Sequence, residues 1–215
     1  MYLFFRKLLS IVFHIKYKIN LIDPQNIPDM KGGYIIASNH LSFADPPMIA
    51  AVIRGKFSFM AKDELFKKNP FFAWLIRRCG AFPVTRGAGD DAPIRTSVEA
   101  IKKNRILVIF PEGTRSKDGT LGRIKSGVVL IASQAAAPIL PVCIRYGEKH
   151  RVDIAFGEMI PAEQVHIDEN DRHSMRNSSK RIGDSLAKLQ KKIYDEAGLP
   201  LPVPAKKSPD GDANG

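Results

Sequence analysis

Cysteine is scarce in this chain: Cys79 and Cys143 are the only two in 215 residues, far apart and without CxxC spacing. That excludes a disulfide scaffold and a cysteine-built zinc site, and it fits a reducing compartment in which both thiols pack as small hydrophobes. Long apolar runs are also missing. The most hydrophobic stretch, residues 1–20, is interrupted by Arg6, Lys7, Lys16 and Lys18, short of the roughly 20 uninterrupted apolar residues of a transmembrane helix. No A-x-A pattern follows it, so it does not read as a secretory signal. Ser126–Ile144 is free of charge but carries Pro138 and Pro141, which break a spanning helix. There is no G-x-S-x-G elbow, no dinucleotide fingerprint, no metal-ligand pattern and no internal repeat.

Acidic residues are the next shortage, 22 against 33 lysines and arginines, for a formal net charge of +11. The excess lies in the first 125 residues. Segment 54–78 holds seven basic side chains against Asp63 and Glu64, and segment 102–125 holds seven against Glu112 and Asp118. Such a surface attracts anionic lipid, nucleic acid or an acidic carrier. Wound as a helix, residues 1–20 place Arg6, Lys7, Ser10, His14 and Lys18 along one stripe, with a wide apolar face opposite. That pattern suits a helix lying in an anionic membrane interface, and an ordinary helix packed on the core is the competing reading. Phe66–Arg78, where aromatics are flanked by basic pairs, reads as a second interfacial element or as core packing.

Past Pro24 and Pro28, short apolar runs alternate with helical periodicity. Strands are expected at Tyr34–Ala37, Phe57–Met60, Ala81–Val84, Ile106–Phe110, Ile139–Ile144 and Val152–Ala155. Helices are expected over Met48–Arg54, Asn69–Arg78, Asp91–Asn104, from about Lys125, and over Arg172–Ala197, with Asp45 as an N-cap before Pro46. The expected fold is an α/β domain with a mixed, largely parallel sheet flanked by helices over residues 21–198. An N-terminal membrane-surface helix over 1–20 precedes it, and a disordered tail over 199–215 follows.

Two loops concentrate chemistry. In Ser38-Asn39-His40-Leu41-Ser42-Phe43-Ala44-Asp45, between a strand and a helix start, His40 is suited to general-base work near neutral pH. Asp45 can turn back onto its ring and fix the tautomer. Without a nucleophile of its own, a His–Asp pair suits direct transfer in which a substrate hydroxyl attacks. The plainer reading is a capping aspartate beside a polar loop histidine. In Phe110-Pro111-Glu112-Gly113-Thr114-Arg115-Ser116, Gly113 permits close backbone approach, Thr114 and Ser116 offer hydroxyls, Glu112 can accept from a polyol, and Arg115 can grip a phosphate. A polar turn after a buried strand is the alternative there.

Together these segments resemble the glycerolipid acyltransferase family, which includes 1-acyl-glycerol-3-phosphate acyltransferases. Its N-H-x-x-x-x-D block is met by Asn39, His40 and Asp45, and its Gly-x-Phe-x-x-x-Arg block by Gly80, Phe82 and Arg86. F-P-E-G-T-R-S stands unchanged at Phe110–Ser116, and an apolar run ending at proline is met by Ala137–Val142. In the second block Pro83-Val84-Thr85 replaces the usual Ile-hydrophobe-Asp. The resemblance, over about residues 20–160, implies catalysis by His40 and Asp45. It implies acceptor binding by Arg86, Glu112, Gly113, Thr114 and Arg115, with no metal or cofactor. Acyl-CoA or acyl carrier protein would be the thioester donor, and a lysophospholipid the acceptor, with phosphatidic acid the product when that acceptor is 1-acyl-glycerol-3-phosphate. Glycerol-3-phosphate or another lysophospholipid remains an alternative acceptor. With the basic helix, the expected location is peripheral, on the cytoplasmic face of the cell membrane. A non-enzymatic binder of anionic lipid or nucleic acid is the reading from another class. It leaves both loops unexplained, so nucleic acid is not an expected partner.

Overall fold

A computed structural model of the chain describes residues 10–30, 32–67, 69–84, 91–168 and 171–204. The strands are β1 (Lys18–Ile22), β2 (Ile35–Ser38), β3 (Phe57–Lys62), β4 (Ala81–Val84), β5 (Ile106–Ile109), β6 (Ile139–Tyr146) and β7 (Arg151–Phe156). The helices are α1 (residues 10–16), α2 (Asp45–Val52), α3 (Glu64–Lys67), α4 (Pro70–Arg78), α5 (Ala92–Lys102), α6 (Gly127–Ala135) and α7 (Ser174–Glu196). All seven strands join one sheet in the order β1-β7-β6-β2-β5-β3-β4. Strands β2 to β6 run parallel where they pair, and β7 is antiparallel to β6. This is the mixed, largely parallel α/β sheet that the alternating pattern predicts.

The central strands IIAS and ILVI are buried throughout because helices cover both faces, which is why they read as apolar runs without alternation. Ile36, Val108 and Leu140 pack with Met48 and Ile49 of α2 on one face. Ile35, Leu107 and Ile139 pack with Val128 and Ile131 of α6 and Ile182 and Leu186 of α7 on the other. Strands β2 and β5 are neighbours, yet the helices that follow them, α2 and α6, lie on opposite faces. Their exit loops lie side by side at the carboxyl edge of the sheet, beside the crevice in which α/β proteins place ligands.

The N-terminal segment differs from its sequence pattern. Residues 10–16 are helical, but Lys18–Ile22 pair in parallel with Arg151–Ala155 as the outermost strand, so the expected helix over 1–20 ends before Tyr17. Ile15 and Ile19 are spaced four apart as in a helix, but the open edge of β7 offers backbone partners that a surface helix does not supply. The β-branched Ile19 and Ile22 suit that pairing. Residues 1–9 lie outside the described ones, as do 205–215 of the expected disordered tail.

Charge fixes the register of this edge. Asn20, Asp153 and Arg145 stand opposite one another on β1, β7 and β6. Asp153, almost wholly buried, accepts from Arg145 (2.8 Å), Arg151 (2.8 Å) and Asn20 (3.0 Å). Removing one member of a buried pair strands the other, so Asp153→Ala is expected to lower unfolding free energy by about 3–5 kcal/mol. Denaturant titration checks this, and a change below about 1 kcal/mol, the size of an exposed ion pair, would contradict it.

Candidate active site

The crevice is built by two loops. At the end of β2, the buried Asn39 turns away from solvent and bonds the backbone of Ile144 twice: its Nδ2 donates to the carbonyl (2.9 Å), and its Oδ1 accepts from the N–H (2.8 Å). An amide, with a donor and an acceptor side by side, is suited to bridging a backbone unit in this way. With Asn39 held, the next residue, His40, keeps part of its side chain open to solvent.

Asp45 lies five residues on as the first residue of α2 and is 0% exposed. It does not cap that helix: Ala44 occupies the cap position, and no side chain caps there. The carboxylate instead folds back over the loop. Oδ2 accepts from His40 Nδ1 (2.7 Å), Leu41 N (2.7 Å) and Ser42 N (2.8 Å). An acceptor-only oxygen on that ring nitrogen places the imidazole proton on Nδ1, which leaves the Nε2 lone pair free to take a proton.

The second loop locks against the first. Ser116 N donates to the His40 carbonyl (2.8 Å), and the Phe110 ring stacks on the His40 ring at 4.0 Å between centroids. Glu112 faces inward. Its Oε1 accepts from His40 N (3.3 Å) and its Oε2 from Gly122 N (2.7 Å), so this carboxylate ties three segments of backbone together. Burial pushes the Glu112 carboxyl above its ordinary pKa, while the two backbone donors pull it the other way.

Gly113 has φ of +75°, and a Cβ there would come within 2.6 Å of Lys125 Nζ. The glycine thus permits both the turn and the passage of a lysine along the loop. Thr114 and Arg115 are exposed at the tip, and the Arg115 guanidinium lies 3.7 Å from the centroid of the Phe43 ring on the facing loop. Arg86, read from sequence as an acceptor ligand, lies outside the described residues.

Of the residues singled out in the sequence, the structure therefore brings together His40, Asp45, Glu112, Gly113, Thr114 and Arg115. It adds two outside the motifs, Tyr146, whose hydroxyl donates to Asp45 Oδ1 (2.7 Å), and Lys125 beside Gly113, and it gives Phe110 of the second motif a place, stacked on the His40 ring. Lys125 carried a local signal, a basic residue just before the α6 helix. Tyr146 carried none, since it lies 101 positions from Asp45.

Comparison with known proteins gives a consistent result. The sequence matches the family model described as Acyltransferase over residues 18–145. It is 35% identical over 148 residues to the 1-acyl-sn-glycerol-3-phosphate acyltransferase of Streptococcus pneumoniae, covering 65% of this chain and 54% of that protein. The chain thus spans about half the length of that relative. The Bacillus subtilis protein of the same name is 24% identical over 202 residues, covering 90% of this chain and 98% of the relative. The crystal structure of the 1-acyl-sn-glycerophosphate (LPA) acyltransferase PlsC from Thermotoga maritima superposes with a TM-score of 0.66 at 25% identity, covering 87% of this chain and 78% of that one. The family match takes in β1 to β5 and both loops of the crevice, and the chain belongs to the Acyltransferase family.

Proposed function

We propose that the protein transfers a fatty acyl group from acyl-CoA or acyl carrier protein to the sn-2 hydroxyl of 1-acyl-glycerol-3-phosphate, giving phosphatidic acid. The observation that carries this reading is the His40–Asp45 pair, in which Nδ1 of a partly exposed histidine is held by a fully buried carboxylate, leaving Nε2 as the nitrogen that can take a proton. His40 Nε2 takes the proton of the acceptor hydroxyl as its oxygen attacks the thioester carbonyl carbon. Asp45 stabilises the imidazolium that forms. The tetrahedral intermediate expels the thiolate as the C–S bond breaks, and the imidazolium returns its proton to sulfur. Arg115 at the loop tip supports a phosphate-bearing acceptor, because a guanidinium fork matches two phosphate oxygens. The family resemblance adds Arg86 to that role, and Lys125 lies near enough to Gly113 to contribute positive charge.

The same reading places the protein at an anionic membrane surface, as a peripheral protein of the cytoplasmic face. No helix among the described residues is long and apolar enough to cross a membrane. Apolar side chains nonetheless stand in solvent: Ile11, Val12 and Ile15 on α1, Phe71, Phe72 and Trp74 on α4, and Phe43 at the crevice. Arg78 lies over the Trp74 ring, which pairs an aromatic with a cation as membrane interfaces favour. Helix α4 leaves from the loops beyond the carboxyl end of β3, the edge of the sheet that holds the crevice. Docking there would present a lipid acceptor to His40 without its leaving the interface.

Three outcomes are expected. His40→Ala should lower acyl transfer from acyl-CoA to lysophosphatidic acid, read as thiol release, by roughly 100- to 10,000-fold with the fold intact. Near-normal turnover in that variant would end the mechanism. Arg115→Lys keeps the charge but loses the fork, and it should raise the acceptor KM about 30-fold with the donor KM unchanged. An effect confined to the donor KM would move Arg115 to the donor's phosphates. Removing residues 1–16, which spares β1, should weaken cosedimentation with anionic vesicles, and added salt should weaken that of the intact chain. Equal binding with and without the segment would make α1 an ordinary packing helix.

A further inference from the structure

Asp45 has two carboxylate oxygens, and only Oδ2 faces His40. Oδ1 points the other way, to the hydroxyl of Tyr146, the last residue of β6. Asp45 is fully buried, so a donor lost at Oδ1 leaves a buried acceptor unsatisfied, at a cost in free energy. Loss of the phenol would leave that oxygen unpaired, with Oδ2 still held by His40, Leu41 and Ser42, and the carboxylate plane would then be set from one side only. We infer that Tyr146 is a positioning residue for the reaction: its hydrogen bond to Oδ1 fixes the carboxylate plane that aims Oδ2 at His40. This inference rests on the reading of His40 as the general base.

The placement of Tyr146 is itself built. Ile144 and Tyr146 are two apart on β6 and so share one face of the sheet, and both pack into the same side of the core. Asn39, next to His40, holds both backbone groups of Ile144. The chain is thereby closed into a ring of contacts running His40, Asp45, Tyr146, Ile144, Asn39 and back to His40. Burial and the adjacent Asp45 carboxylate push the Tyr146 phenol far above its ordinary pKa, so it remains a proton donor wherever the base is active. Tyr17 roofs the pair from outside, edge-on to Tyr146 at 6.4 Å, with Phe13 against it.

The titratable groups around this ring are Glu112 on the His40 side and Tyr17 on the Tyr146 side. His150 and Lys16 lie against Tyr17. None of these is altered by Tyr146→Phe, which removes the bond to Asp45 together with the phenol's hydrogen bond with Ser42, so a change in pH dependence reports on the loss of the phenol. Without the phenol the carboxylate keeps more of its charge for the imidazolium, which is then stabilised. The acid limb of the kcat/KM profile is expected to move to higher pH.

The experiment measures wild type, His40→Ala and Tyr146→Phe with acyl-CoA and lysophosphatidic acid across pH. Tyr146→Phe should lower kcat about 10-fold, leave both KM values within about twofold, and shift the acid limb upward. An inactive wild type, or an active His40→Ala, would remove the underlying reading. An inactive His40→Ala beside a Tyr146→Phe with wild-type kcat and a superimposable pH profile would overturn the inference alone. Should Tyr146→Phe not fold, 3-fluorotyrosine placed at position 146 keeps the bond with a stronger donor. The acid limb should then move to lower pH, and an unmoved limb would overturn the inference.

Discussion

A carboxylate with no solvent exposure must find its hydrogen bonds inside the protein, and the site is arranged around that demand at Asp45. Four donors meet it: the His40 ring, two backbone N–H groups of the loop between them, and the Tyr146 hydroxyl. Each comes from a position that the fold must deliver. The loop amides require the tight return from β2 into α2. The tyrosine requires β6 beside β2. The histidine requires Asn39 to be anchored on Ile144, so that the loop leaves β2 at a fixed point.

Glu112 plays the matching part on the second loop. Its inward carboxylate spans His40 N and Gly122 N, so the FPEGTRS loop and the His40 loop share a buried acid as well as the Ser116-to-His40 backbone bond. His40 is therefore braced from three sides, by Asp45 on the ring nitrogen, Phe110 on the ring face and Glu112 on the main chain. The tip of that loop, Thr114 and Arg115, is exposed, with the Arg115 guanidinium against the Phe43 ring.

The apolar exposure follows a similar division. The interior faces of α2, α6 and α7 are consumed by the two halves of the core, whereas α4 buries only Ala73 and turns Phe71, Phe72 and Trp74 outward. Asn69 caps α4 by accepting from Phe72 N, and Arg77 and Arg78 lie in its last turn, so the helix is locally well specified although little of it packs.

The sequence by itself determined the strands of the sheet's centre, the crossing helices and the two loops, because these depend on contacts between near neighbours. ILVI is apolar wherever it lies, Pro70 after Asn69 starts a helix in any context, and His40 with Asp45 falls within one turn of chain. Tertiary structure decided what depends on distant partners. Lys18–Ile22 has a pattern that serves helix or strand equally, and the open edge of β7 selected strand. Asp45 followed by proline looks like a cap, and the buried donors of its own loop and of β6 drew its carboxylate elsewhere. Glu112 looks like a ligand for a polyol, and two backbone N–H groups brought by folding turned it inward. Side-chain chemistry is written locally, but which donor satisfies a buried charge is settled only when strands far apart in the chain become neighbours.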